Sequence, residues 1–372
     1  MMTQTLAILV DAYRELQSKK MFWVVLILNV LVIAGFGIIG ANDHTITVLW
    51  FEPLGDMSAS GVPPAFLYKW LFSSLVVSWW LTLLAALLAL ISTAGIFPDF
   101  MASGSVDLFL ARPIGRLRLF FTKYLAGLLF VTLQVTLFTS LSFLVLGWRA
   151  KLWEPGLFAA IPLVVVFFSY LFAICVLLGT LTRSTIAALL LTILAWLAIW
   201  AVDLGDRATT SLRHETELRQ AFLDDQIEEL NGQIATAQAT TEQTGLAALQ
   251  TQRATLVANR AKVETPSALI TAQNIAFGIK SVVPKTRETI NLLDRVLFKD
   301  QELQATSKHE DSTAATAPEF PRRRMGPRFE ARQLEQLKAG RERPVWWIIG
   351  TSLLFEAACL ALAAWHFCTR DF

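Results

Sequence analysis

The stretch that decides the fold is residues 157–202, LFAAIPLVVVFFSYLFAICVLLGTLTRSTIAALLLTILAWLAIWAV, in which Arg183 is the one charged residue. A helix needs about 20 apolar residues to cross the roughly 30 Å hydrocarbon core of a bilayer, so a single helix through this stretch would be far too long. An arginine at its centre would also be costly to place in lipid. The stretch therefore predicts two membrane-spanning helices joined by a tight turn at Thr182, Arg183 and Ser184.

Four more apolar runs of similar length flank this pair. The six predicted spans are residues 22–40, 70–96, 117–147, 157–181, 185–202 and 345–367. Charged residues make up only 17% of the chain, against about 25% in soluble domains, and most of them lie in a polar insert, residues 204–344. We therefore predict an all-α polytopic membrane protein with six transmembrane helices, ending in a last helix and tail at residues 345–372.

The first 20 residues are predicted to form an amphipathic helix in the membrane interface. The apolar side chains Leu6, Leu9, Val10, Tyr13 and Leu16 recur at helical spacing there, opposite polar ones. We interpret the apolar run that follows as an uncleaved first helix, because a preceding segment of about 20 residues is long for a signal peptide. Residues 21–203 then hold spans one to five.

The basic residues predict the orientation, since Lys and Arg accumulate in short cytoplasmic loops. They precede the first span, surround the second-to-third connection and occupy the fourth-to-fifth turn: Arg14, Lys19, Lys20, Arg112, Arg116, Arg118, Lys123 and Arg183. Both termini are then cytoplasmic in a cell membrane, and the insert is extracytoplasmic. The basic run at residues 322–343 favours the opposite side, but long loops are translocated largely regardless of charge.

The insert divides into three predicted segments. Leu223, Ile227, Leu230, Ile234 and Ala237 follow the spacing of a helix seam, which predicts a coiled-coil-like antiparallel hairpin at about residues 209–265 with its tip near Thr241. Residues 267–298 are predicted to be amphipathic and to lie against the membrane surface. Residues 304–327 lack periodicity and predict a flexible linker.

Motifs of catalysis are missing from the sequence. It contains no nucleotide-binding GxxxxGK[ST], no HExxH and no GxSxG, and its four His and three Cys lack the spacing of metal ligands. We expect neither an enzyme nor a cofactor or metal in this chain. The net charge of +2 gives no reason to expect nucleic acid as a partner.

The connection between spans two and three carries the most specific pattern, IFPDFMASGSVDLFLARPIGRLRLFFTKY at residues 96–124. Pro98 suits the start of a helix, Asp99 and Asp107 place acidic charge on it, and the pair Arg112 and Pro113 ends it. The pattern predicts a short amphipathic helix at residues 97–112 that presses on another protein at the membrane boundary. The alternative is a helix that rests in the lipid headgroups.

At these residues the chain resembles the permease subunits of type-2 ATP-binding-cassette (ABC) transporters, especially the six-span branch related to nitrous-oxide-reductase maturation and multidrug export. The resemblance rests on Gly104, Leu108, Leu110, Ala111, Pro113, Gly115, Arg116 and Lys123. Members of that family usually have Glu where this chain has Asp99.

The resemblance implies a subunit of an exporter, without ATPase activity of its own, that pairs with a second permease as a homo- or heterodimer. Separate ATP-binding subunits would dock on the predicted coupling helix, with ATP bound by them. The coupling residues implied are Pro98, Asp99, Gly104, Asp107, Leu110, Arg112, Pro113 and Arg116.

Glu356, near the centre of the last predicted span, is the intramembrane polar candidate, because a carboxylate there is costly and often functional. A structural hydrogen bond to a neighbouring helix is the competing interpretation, and Asn29, Gln134 and Tyr170 receive that interpretation too. An intramembrane enzyme would need Glu356 with His366, which stand about 15 Å apart along one helix. Another alternative is a non-transporting scaffold whose hairpin recruits extracytoplasmic partners.

Overall fold

A computed structural model gives the architecture of most of the chain. It describes residues 14, 20–41, 46–48, 68, 71–102, 115–239, 243–263, 267–297 and 344–369. The predicted N-terminal interfacial helix and the linker at residues 304–327 lie outside the described residues, apart from single positions in the former.

Helices dominate the described residues. They are α1 (Lys20–Gly37), α2 (Ala86–Thr93), α3 (Ile96–Ala102), α4 (Arg116–Ala150), α5 (Ala160–Thr182), α6 (Thr185–Ala239), α7 (Gln243–Lys262), α8 (Ser267–Val282), α9 (Thr286–Leu297) and α10 (Val345–Thr369). A π-helical stretch (Phe72–Ala85) runs directly into α2, and a 3₁₀ helix (Pro155–Ala159) precedes α5. Within this described part, six helices are long and apolar enough to cross a membrane, which confirms a polytopic helical protein.

The turn between the fourth and fifth spans lies where the sequence predicts it. Helix α5 ends at Thr182, and Arg183 adopts the left-handed backbone conformation with φ of 54°. Its backbone N–H donates to the Gly179 carbonyl, 3.0 Å away, which satisfies one of the last carbonyls of the helix.

A short β-hairpin was not predicted from the sequence. Strands β1 (Ile39–Ala41) and β2 (Ile46–Val48) pair antiparallel, with Gly40 opposite Thr47. The hairpin lies against the end of α4, where the Arg149 guanidinium donates to the Ile38 carbonyl at 3.0 Å. The Tyr68 hydroxyl donates to the Ile39 carbonyl at 3.2 Å, and burial raises the pKa of Tyr68. The ends of the first and third spans therefore meet.

The chain divides into two compact units. The first comprises Met1–Leu197, Pro284–Ser307 and Ile348–Phe372, and the second comprises Ala198–Val283 and Lys308–Trp347. Helix α6 contributes to both, so the predicted boundary at residue 203 falls inside one continuous helix.

The core of the first unit forms where α4 packs on α1 and α5. Gly127 of α4 lies directly against the ring of Phe172 on α5, since a Cβ at Gly127 would come within 2.6 Å of that ring. Helix α9, which belongs to the predicted insert, also packs on α5 in this unit and buries Ile290, Leu293 and Leu297. The position of this segment relative to the membrane surface stays a prediction.

The second unit is built from antiparallel helices. Arg253 Nε on α7 donates to Asn231 Oδ1 on α6 at 2.5 Å, and Arg260 Nε donates to Asp224 Oδ1 at 2.9 Å. Hydrogen bonding to Asp224 and its charge raise the pKa of Arg260. The later residue on α7 pairs with the earlier residue on α6, so the two helices run antiparallel; α6 ends at Ala239 and α7 begins at Gln243.

Helix α8 also packs against α6. Arg213 Nη1 donates to Gln273 Oε1 at 3.0 Å, and further along α8 the Lys280 ammonium lies 2.7 Å from Asp206 and 3.1 Å from Asp203. Asp203 also pairs with Arg207 at 2.8 Å. Asp203 and Asp206 are both less than a tenth exposed, so this ion-pair cluster is largely desolvated.

Candidate functional site

Two groups of residues in the first unit are candidate functional sites. The first is the connection that begins at α3, where Asp99 lies in the first turn of the helix. Thr185 at the start of α6 donates its hydroxyl to Asp99 Oδ1 at 3.2 Å. Gly95 makes room for this carboxylate, because a Cβ there would lie 2.5 Å from Asp99 Oδ2. Asp99 therefore connects the end of the second span to the start of the fifth.

Pro98 occupies the first turn of α3, where its missing N–H leaves no helical hydrogen bond unmade. Its ring packs on Gly179 near the end of α5, with Cγ 3.3 Å from the position of a Cβ on that glycine. A proline contact on a glycine brings the backbones of α3 and α5 close together. Helix α3 is thus held against the fourth span.

The other end of the connection is attached to the last helix. Arg116 Nη1 donates to the Cys368 carbonyl at 3.1 Å, close to the C-terminus of α10, where a cation is favourable to the helix dipole. The Phe367 ring lies 6.3 Å from Phe100 and 5.9 Å from Phe120, and the Lys123 ammonium lies 5.4 Å from the centre of the Phe100 ring. Both ends of the connection are therefore fixed to other spans.

The structure describes only part of the predicted coupling helix. Pro98, Asp99 and Arg116 are described, whereas Gly104, Asp107, Leu110, Arg112 and Pro113 lie outside the described residues. The helical part that the structure describes, α3, begins at Ile96, two residues before Pro98.

The second group of residues surrounds Glu356 inside the helix bundle. The Tyr124 hydroxyl donates to Glu356 Oε1 and the Ser169 hydroxyl donates to Glu356 Oε2, each at 2.7 Å. Glu356 is only 8% exposed. These bonds join α4, α5 and α10, so Glu356 has neighbouring hydroxyl donors of the kind that the structural interpretation requires.

Ser352, one helical turn before Glu356 on α10, makes a separate set of hydrogen bonds. Its hydroxyl oxygen accepts the backbone N–H of Lys285 at 2.9 Å and donates to the Ile348 carbonyl at 2.8 Å. The Lys285 ammonium donates to Thr351 Oγ1 at 2.5 Å, and Thr289 donates its hydroxyl to the Lys285 carbonyl. Lys285 is 3% exposed, so the start of α9 is anchored to α10 inside the first unit.

A second intramembrane network joins the first three spans. Asn29 Nδ2 donates to Gln134 Oε1 at 3.2 Å, and Trp80 Nε1 donates to Asn29 Oδ1 at 2.9 Å. Gln134 also donates to the Phe22 carbonyl at 3.3 Å. Asn29 and Gln134 therefore act as interhelix hydrogen-bond partners, whereas the buried Tyr170 hydroxyl has no hydrogen-bond partner among the described residues.

Sequence reasoning singled out Glu356 but not its partners. Tyr124 and Ser169 look like ordinary polar residues in apolar helices, and Lys285 stands between spans in a polar segment. The one available signal was the cost of a carboxylate in lipid. That cost implies hydrogen-bond donors on neighbouring helices, but it does not indicate which residues donate.

The intramembrane-enzyme alternative would need Glu356 and His366 to act together. Glu356 and His366 lie on the same helix, separated by ten positions. No group of three or more His, Cys, Asp or Glu side chains in the described part of the chain could hold a metal ion. Comparison with protein families, curated proteins and solved structures finds no match to this chain.

Proposed function

We propose that this chain is the membrane-spanning permease subunit of an ATP-binding-cassette transporter, driven by a separate ATPase subunit. The proposal starts from the resemblance at residues 96–124 and from the lack of a nucleotide-binding motif in this sequence. A transport subunit of this kind needs a surface on which its motor docks and helices that respond to the motor's movement.

The observation that carries the proposal is the attachment of the second-to-third connection at both of its ends. Asp99 holds one end to Thr185, and Arg116 holds the other to the Cys368 carbonyl. A force applied to this connection would act on the second, third, fifth and last spans together. This is the mechanical property that a coupling element requires.

In this proposal both termini and the connection face the cytoplasm, and the insert at residues 204–344 lies outside. A second permease subunit, identical or different, completes the transport path, and the direction is export. Six apolar spans place the chain in the membrane, and the basic residues near the connection support the cytoplasmic side.

The test is purification of the tagged chain from its native membranes in a mild detergent, followed by identification of copurifying proteins and an ATPase assay. We expect an ATP-binding-cassette ATPase whose activity rises in the complex. The L110R variant introduces a charge into the predicted docking helix and should abolish copurification. The V257R variant provides the matched control, since Val257 is a half-exposed residue of α7.

The proposal would be wrong if no ATPase copurified. It would also be wrong if the L110R variant copurified with the ATPase to the same extent as the unchanged protein. Loss of the ATPase in both variants would contradict a docking role specific to residues 97–112.

A scaffold that recruits extracytoplasmic partners is the second candidate. The cross-links between α6 and α7, such as Arg260 with Asp224, favour it, because they hold a long polar hairpin in a defined shape. Deletion of residues 213–262 separates the two functions. A scaffold would lose its partners, whereas a transporter subunit should retain its ATPase.

A further inference from the structure

A groove with a volume of about 580 Å³ lies at the end of α4, where the chain leaves the third span. Four of its lining residues, Leu141, Leu144, Val145 and Trp148, recur at helical spacing and form one apolar wall. Leu144 is 55% exposed and Trp148 is 84% exposed. The volume is within the range of small-ligand sites in proteins.

The opposite wall is formed by the chain as it turns back over the helix. Lys151 adopts a left-handed conformation with φ of 56°, and the Leu152 N–H donates to the Leu146 carbonyl at 3.3 Å. This turn brings the Trp153 ring onto Gly147, where a Cβ would lie 2.6 Å from the ring. Only glycine permits that approach, so the wall is a built feature of the fold.

Further contacts fix the Trp153 ring. Phe143 meets it edge to face, with ring centres 5.2 Å apart, and Phe158 packs on Phe143 at 5.3 Å. Tryptophans concentrate where membrane-spanning helices meet the headgroup region of a bilayer, and Trp148 and Trp153 stand at such a helix end. A groove at such a helix end is expected at the depth where an acyl chain meets its headgroup.

The charge at the groove is positive. Lys151 is exposed and lines the groove, whereas the nearby Arg149 guanidinium is directed to the Ile38 and Ile39 carbonyls. A lysine on a flexible stem is a suitable point charge for phosphate at the membrane surface. The apolar wall of the groove suits an acyl chain, and the single cation at its edge suits an anionic headgroup.

We propose that this groove binds a phospholipid, with an acyl chain along Leu141, Leu144 and Trp148 and a headgroup phosphate at the Lys151 ammonium. The binding is noncovalent, and it is independent of whether the chain is a transporter subunit. Apolar burial holds the acyl chain, and a charge-assisted contact selects anionic headgroups over zwitterionic ones.

The test titrates the purified full-length protein in detergent with phosphatidylglycerol and counts bound lipids by native mass spectrometry, with phosphatidylcholine as the comparison. K151Q should weaken phosphatidylglycerol binding by about tenfold and abolish the preference over phosphatidylcholine. L144W fills the groove and should remove the bound molecule with either headgroup. K262Q and L354W are the controls, since Lys262 is exposed on α7 and Leu354 is 74% exposed on α10.

Equal binding in K151Q, L144W and the unchanged protein would overturn the proposal. Loss of lipid in both control variants to the same extent as in K151Q and L144W would overturn it too, because binding would then be generic adhesion to the apolar belt. If L144W changes the oligomeric state and leaves lipid binding unchanged, the groove is a subunit interface and the proposal is wrong. Thermal melting of each variant verifies that it is folded.

Discussion

The Tyr124 hydroxyl and the Glu356 carboxyl group, 232 positions apart in the sequence, meet at 2.7 Å inside the first unit. This bond joins the third span to the last one, and Ser169 adds the fourth span to the same carboxyl group. Interhelix hydrogen bonds of this kind stabilise a helix bundle in lipid, where the hydrophobic effect does not favour association of apolar helices.

Removal of the tyrosine hydroxyl should weaken the bundle. We expect Y124F to lower the free energy of unfolding by about 1–3 kcal/mol, because a buried acceptor loses its donor while the ring packing on Phe172 remains. Thermal melting of the purified protein measures the effect. Y68F provides a comparison, since its hydroxyl bonds a carbonyl at the β-hairpin instead; a melt of Y124F identical to the unchanged protein would contradict a stabilising role.

Ser352 is expected to stabilise the protein by accepting a hydrogen bond from the backbone N–H of Lys285. S352A leaves the buried Lys285 N–H without its acceptor, which should cost about 1–3 kcal/mol and loosen the start of α9. Hydrogen exchange of peptides from Thr286–Leu297 reports that loosening. S211A, at an exposed position of α6, should leave exchange in α9 unchanged. Unaltered protection of α9 in S352A would show that the anchor is dispensable.

A pair of glycine substitutions tests the packing between α4 and α5. G127A should destabilise the protein by about 1–3 kcal/mol, because its Cβ would overlap the Phe172 ring. G350A should instead stabilise by about 0.5–1 kcal/mol, since nothing lies within 4 Å of a Cβ there and alanine is the better helix residue. Melting temperatures that move in the same direction would refute the described contact.

The two ion pairs of the second unit should differ in importance. K280A leaves Asp206 buried without its cation, which is strongly unfavourable, whereas R260A removes an exposed pair that solvent screens. We expect faster hydrogen exchange in Ser267–Val282 for K280A and little change in the same peptides for R260A. Equal exchange in the two variants would mean that burial of the Lys280 cluster has no energetic consequence.

The proposed orientation is open to direct labelling. In T241C, a membrane-impermeant maleimide applied to intact cells should label residue 241, near the hairpin tip that the sequence predicts, whereas R183C should react only after permeabilisation. Cys175 and Cys359 are buried, and the unchanged protein measures the background from Cys368. Labelling with the opposite pattern would place the insert in the cytoplasm, as the basic run at residues 322–343 favours.

The sequence predicted those features that depend on local patterns. Arg183 inside a long apolar run required a turn, and the helix ends there. The spacing of Leu223 and Ile227 predicted a neighbouring helix, and α7 lies beside α6. Both follow from the cost of charge in lipid and from helical periodicity, which operate over a few residues.

Features that depend on distant contacts could not be predicted in the same way. Nothing near Lys285 indicates that it is buried against Thr351, because a lysine between spans is ordinarily solvated. The π-helical geometry of Phe72–Ala85 and the pairing of Ile39–Ala41 likewise have no distinctive composition. Contacts across many intervening residues are decided by the packed fold, and one sequence carries little trace of them.

Ser352 and Glu356 face the same side of α10, one helical turn apart, and this spacing limits how the last helix can move. A slide of about 6 Å along its axis with a rotation of about 40° would bring the serine hydroxyl to the position that the carboxyl group now occupies, opposite Tyr124 and Ser169. At intermediate displacements those donors would face apolar side chains. Any smaller displacement of the last helix would therefore cost the two hydrogen bonds of this carboxyl group.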